Sequence, residues 1–126
     1  MGFLKGLVAM LATKYGTVTG GKYKGTSLAL GSDTDKKIAV NATFNQLLFI
    51  KGTKELARVY TKEVSRYEIV TDTRVSATVK LVWTSGEESI LVVPKYDNKG
   101  QPLFATTSNG VRISRLDHLI SVLAEK

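Results

Sequence analysis

Residues 77–83 read ATVKLVW. Ala77, Val79, Leu81 and Trp83 alternate with Thr78, Lys80 and Val82. Period-two alternation of this kind belongs to a strand with one buried and one largely wet face, because successive side chains leave opposite sides of the pleat. Trp83 then belongs to the core.

The same pattern recurs on both sides. Thr26–Leu30, Lys37–Val40, Leu47–Lys51, Leu56–Tyr60, Tyr67–Thr71 and Ser89–Val93 are rich in Val, Ile, Thr and aromatic residues. Their spacing of about ten residues predicts a sandwich or barrel of about seven antiparallel strands. Turn chemistry separates them at KGTKE (51–55), SGEE (85–88) and YDNKGQP (96–102). Further on, LFATTSNGVRIS (103–114) sets Asn109-Gly110 between two short apolar runs, a strong hairpin signal. Ser114 and Asp117 then resemble a capping box, followed by a helical stripe of Leu116, Leu119, Ile120 and Leu123. A terminal helix over Leu116–Ala124 is expected, with His118 on its solvated face.

The first residues, MGFLKGLVAMLATK, carry a different period. At about 100° per residue, Phe3, Leu4, Leu7, Val8, Met10, Leu11 and Tyr15 share one side of a helix. Residues 1–15 are therefore expected to form an amphipathic helix, 16–25 a glycine-rich connector, and 26–126 the β domain. Between Lys5 and Lys14 lie eight uncharged residues, far short of the roughly 20 that span a bilayer. Neither a signal peptide nor a myristoylation site is expected, since no small-residue cleavage site follows and Gly6 stands where Ser or Thr is wanted. Such a face must be covered by a membrane, by the rest of the chain or by a second copy.

At 126 residues, with 43% hydrophobic and 23% charged residues, the chain suffices for one domain with its own core. The absence of cysteine excludes disulfides, thiolate metal sites and thiol catalysis. A net charge of +7 favours anionic partners. Lys5, Lys14, Lys22 and Lys24 fall before the first acidic residue, Asp33. With Lys36 and Lys37 they are the candidate anion-binding residues.

Other motifs fail on their chemistry. GTVTGGK (16–22) has most of a phosphate-binding loop, but Tyr23 holds the magnesium-binding Ser/Thr position and the flanking elements are inverted. Ser114, Asp117 and His118 do not make a triad, because neighbours at i and i+1 on a helix face apart. Asp33 and Asp35 lack the remaining ligands of a calcium loop. Asn41-Ala-Thr43 is a formal glycosylation sequon without a secretory context. Glu87 and Glu88 are adjacent in a hairpin and point to opposite faces. No catalytic residue, cofactor or metal site is expected.

Together, LLFIKGTKELARVYTKEVSRYEIV (47–70), with its Val64-x-x-Tyr67-Glu68-Ile69 phrase, and VKLVWTSGEESILVV (79–93) resemble the small bacterial members of the pleckstrin-homology-like superfamily. The resemblance covers roughly Thr26–Lys126. It implies a bent, nearly closed antiparallel barrel plugged by the last helix, and binding of phosphoinositides, peptides or proteins. Phosphoinositide binders of that superfamily carry a basic cluster at the first strand–strand loop, which GSDTDKK (31–37) matches only through Lys36 and Lys37, with Asp33 and Asp35 opposing them. The expected protein is a non-catalytic binding module, cytoplasmic and peripheral at the inner face of the membrane. It docks on an anionic lipid surface or a protein partner through Phe3, Leu4, Leu7, Val8 and Leu11 and its lysines. The alternative is a structural or self-associating protein whose N-terminal helix packs on its own barrel or a second copy. Non-specific nucleic-acid binding comes third, since lysine strongly outnumbers arginine and no exposed aromatic–arginine pattern is evident.

Overall fold

The computed structural model describes residues 13–32, 44–107 and 109–124. Seven strands form one antiparallel sheet: β1 (Lys14–Gly21), β2 (Ser27–Gly31), β3 (Gln46–Lys51), β4 (Lys54–Tyr60), β5 (Val64–Asp72), β6 (Ser76–Trp83) and β7 (Glu88–Pro94). Their order in the sheet is β4-β3-β2-β1-β7-β6-β5. A two-stranded ribbon, β8 (Phe104–Thr106) with β9 (Arg112–Ser114), leads into helix α1 (Arg115–Ala124). Among the described residues no helix is long and apolar enough to cross a membrane.

Alternation does what the sequence predicts in β6, where Ala77, Val79, Leu81 and Trp83 are buried and the residues between them are half-exposed. Trp83 donates its indole N–H to Ser89 Oγ at 2.8 Å, so the one polar atom of the ring is satisfied inside the core. The terminal elements also form as expected. Ser114 Oγ accepts the backbone N–H of Asp117 at 3.1 Å, capping α1.

The sheet is bent but does not close. Phe49 on β3 and Trp83 on β6 have ring centroids 5.8 Å apart, although β2, β1 and β7 lie between those strands. Curling of this kind brings residues of both halves into one core, from Leu28, Leu47 and Phe49 to Val79, Leu91 and Leu119. No ladder joins β4 to β5. The expected barrel is thus corrected to an open sheet. Its edges are blunted against further pairing: β4 carries Lys54, Glu55 and Arg58, and β5 carries Arg66, Glu68 and two register shifts.

Two local expectations change. Lys14 and Tyr15, expected to end the N-terminal helix, belong to β1, and the supposed connector 16–25 supplies the rest of that central strand and its turn. The segment is rich in glycine, yet Tyr15 and Val18 face the core in strand fashion. A Cβ on Gly16 would lie 2.4 Å from the Val92 carbonyl oxygen, so the glycine lets β1 approach β7 closely. His118, placed on a solvated face, is instead buried with Leu116, Leu119, Val122 and Leu123, while Ile120 is half-buried. The helix is rotated relative to the apolar-only stripe because an imidazole can enter the core once it has a polar partner. That partner is the Tyr15 hydroxyl, 2.6 Å from His118 Nδ1.

A second buried cluster lies on the other side of the sheet. Leu28, Leu30, Leu47 and Phe49 face the main core, whereas Ala29, Leu48 and Ile50 alternate with them and point away from it. The expected strand Lys37–Val40 and the expected helix up to residue 12 lie outside the described residues.

Candidate anion-binding rim

The β1–β2 turn is built from left-handed backbone. Gly21, Tyr23 and Gly25 all have positive φ, at 74°, 67° and 89°. Backbone bonds from Gly25 N–H to the Val18 carbonyl at 2.8 Å and from Lys24 N–H to the Gly21 carbonyl at 3.2 Å close it. Tyr23 is the sole non-glycine with positive φ among the described residues. A left-handed non-glycine costs on the order of 1 kcal/mol. Packing offsets it: Tyr23 stacks on Phe49 at 4.1 Å between centroids and meets the edge of Trp83 at 5.7 Å. Its ring turns inward and seals one end of the core.

The neighbouring residues turn outward. Lys22 lies with its ammonium 5.3 Å from the Tyr23 centroid and 6.0 Å from that of Trp83. Its Nζ contacts Glu87 Oε1 at 3.4 Å. Tyr23 chiefly holds the Lys22 ammonium pKa above the ordinary lysine value; desolvation opposes the rise, and Glu87 adds to it. Lys24 is exposed.

The β3–β4 hairpin reaches the same end of the sheet, since β2 and β3 are paired with Ser27 opposite Ile50. Its turn needs the positive φ of Gly52, 65°, and sets Lys51 directly opposite Lys54. Like charges facing across a ladder are unfavourable. Glu55, the nearest acid in sequence, does not relieve them: its Oε1 accepts Arg58 Nη2 at 2.7 Å, and its side chain is 6% exposed. Lys24, Lys51 and Lys54 have no carboxylate partner among the described residues. Two adjacent hairpin tips thus present Lys22, Lys24, Lys51 and Lys54 with Glu87 as the one neighbouring acid paired to them.

Of the lysines singled out from the sequence, the structure brings together Lys22 and Lys24. Lys14 begins β1, about 20 Å away along the strand at roughly 3.3 Å per residue. Lys5, Lys36, Lys37, Phe3, Leu4, Leu7, Val8 and Leu11 lie outside the described residues. Lys51 and Lys54 were missed. Their turn was legible, but their neighbourhood depends on β2 pairing with β3, which no local pattern encodes.

Elsewhere the rejected motifs within the described residues stay unassembled. The Asp33–Asp35 and Asn41–Thr43 motifs lie outside the described residues. Ser114 is occupied as a cap, and His118 is turned into the core toward Tyr15. Glu87 and Glu88 go separate ways, one to Lys22 and the other to Lys80 at 3.8 Å. Among the described residues no cluster of His, Asp and Glu is arranged to hold a metal ion. The rim itself offers exposed ammonium groups around a glycine-shaped backbone, which suits attraction of phosphate-bearing surfaces without bidentate recognition. No known family model matches the sequence, and no curated protein or solved structure resembles it significantly.

Proposed function

We propose that this chain is a non-catalytic binding module that docks on an anionic membrane surface through Lys22, Lys24, Lys51 and Lys54. The observation that carries the reading is the meeting of two basic hairpin tips at one end of the sheet. Two locally unfavourable features coincide there, the left-handed Tyr23 and the Lys51–Lys54 pair. Such conflicts with local preference concentrate at functional sites. Lysine also suits a headgroup layer better than a single defined ligand, because its compact charge interacts without fixed geometry. Each lysine close to such a surface contributes about 1 kcal/mol, an effect that fades beyond a Debye length of about 8 Å at physiological salt.

We read the curved sheet and its core-facing terminal helix as a pleckstrin-homology-like arrangement. The coarse layout supports this: continuous antiparallel strands followed by a capped helix on the same core.

Cosedimentation of the full chain with vesicles of phosphatidylglycerol and phosphatidylcholine tests the proposal. Binding is expected with the anionic lipid, not with phosphatidylcholine alone, and should weaken as salt rises. Changing all four rim lysines to glutamine should abolish it with little change in Tm. Undiminished binding by that variant would refute the rim. Retention on nucleic acid in preference to vesicles at equal salt would redirect the charge to a different partner.

A further inference from the structure

We propose that two copies of this chain pair edge to edge through β5, antiparallel and centred on Tyr67. Strand β5 borders the seven-stranded sheet, and among the described residues no strand pairs with its outer side. From Arg66 to Asp72 its residues are exposed, apart from the half-buried Tyr67. Ile69 and Val70 are among them, 42% and 51% exposed. An edge of this kind is a template for a further strand. The two register shifts against β6 fall at Val64–Arg66 and Ile69–Thr71, so the stretch Arg66–Ile69 between them keeps regular pairing.

Charge selects the occupant. Charged side chains on an edge deter an arbitrary strand, but those of β5 are complementary to themselves. In an antiparallel pair centred on Tyr67, Arg66 of each copy stands directly opposite Glu68 of the other, and the two tyrosines meet at the axis. Arg66 and Glu68 lie two residues apart, so they share one face of the sheet and can meet there. Opposite charges and aromatic residues directly across a ladder are favourable. Within one chain these charges are incompletely matched. Among the described residues Arg66 has no carboxylate partner, while the Lys80 ammonium is shared between Glu68 at 3.3 Å and Glu88 at 3.8 Å. The other border offers no such match, because Arg58 on β4 is already bonded to Glu55 and Gln46. Two-fold pairing of β5 with itself also closes, giving a dimer and not a filament. The regular ladder is short, so the dimer is weak and depends on concentration. This inference is independent of the lysine rim, which is built from the turns of other strands.

Sedimentation velocity of the lipid-free full-length protein tests it, with monomer expected at about 10 µM and a growing dimer fraction toward about 1 mM. Arg66→Glu and Glu68→Arg, each alone, set like charges opposite one another and should remove the dimer. An equimolar mixture of the two variants should restore it, because acid then faces base at both positions. Should either variant fail to fold, Tyr67→Cys supplies a second readout in a chain that has no cysteine of its own. Oxidation should link two copies through it, since residues facing across a ladder have Cα atoms about 4.5–5.5 Å apart, within disulfide reach. Thr71→Cys is exposed on the same strand but in this register lies roughly 26 Å from its own copy. It should link about tenfold more slowly or not at all. A parent protein still monomeric at the highest of these concentrations would overturn the proposal. So would a dimer undiminished in either single variant, folded variants that do not associate when mixed, polymers in place of dimers, or equal linking through the two cysteines.

Discussion

Tyr15 and His118 meet inside the protein across 103 residues of sequence, the phenol on β1 and the imidazole on α1. Phe44 closes on the imidazole edge-to-face at 5.7 Å. Burial pushes the Tyr15 pKa up from 10.0 to about 12, with the Arg115 guanidinium opposing the rise. A folded-state pKa above the unfolded value means that the neutral phenol stabilises the fold. That contribution is fully present below about pH 10 and is lost as the pH climbs to about 12, on the order of 2–3 kcal/mol in all. Tyr15→Phe should therefore flatten the alkaline loss of stability between those limits, while costing about 1–3 kcal/mol at neutral pH because Nδ1 loses the phenol. Denaturant melts of both proteins at pH 7 and pH 11 read both effects. His118→Ala should cost about 2–3 kcal/mol, well above the few tenths expected of a solvated helix residue. Its burial was not legible in the sequence, since the one polar residue in an apolar stripe reads as surface until its distant partner is known.

Strand β1 shows what glycine does at the level of an element. It occupies the centre of the sheet, yet its composition resembles a connector. Gly21 has φ 74°, and a Cβ there would stand 2.1 Å from the Glu88 carbonyl oxygen. Gly21→Ala should cost about 2–3 kcal/mol through strain and a backbone clash. Gly52→Ala, with a similar φ but nothing within 4 Å of the added carbon, should cost about 1 kcal/mol. Urea midpoints of the two variants test the distinction, and equal losses would remove close packing of β1 on β7 as the cause. Helix α1 was easier to read, because cap and apolar stripe are both local. Leu119→Ala, at a wholly buried position, should cost about 2–5 kcal/mol in the same measurement. Strands β2 to β7 were legible for the same reason: alternation and turn residues lie within one short window.

What local windows did not contain was the closure of the sheet and the company kept by its turns. The open edge between β4 and β5, and the approach of the Lys22–Gly25 turn to Lys51 and Lys54, follow from strand order across the molecule. The basic cluster was accordingly expected along the N-terminal sequence and is found across two hairpins. The position of the lysines, rather than total charge, should govern membrane binding, and a charge-matched comparison isolates it. Lys24, Lys51 and Lys54 changed together to glutamine remove three charges from the rim. Arg74, Lys99 and Arg112 changed likewise remove three charges from exposed positions away from it, in the β5–β6 turn, after β7 and on β9. Affinity for phosphatidylglycerol vesicles should fall about 100-fold for the rim variant, as expected of three lysines at about 1 kcal/mol each, and stay within a few-fold of the parent for the other. Equal losses from the two variants would contradict the account, because net charge alone would then explain the binding.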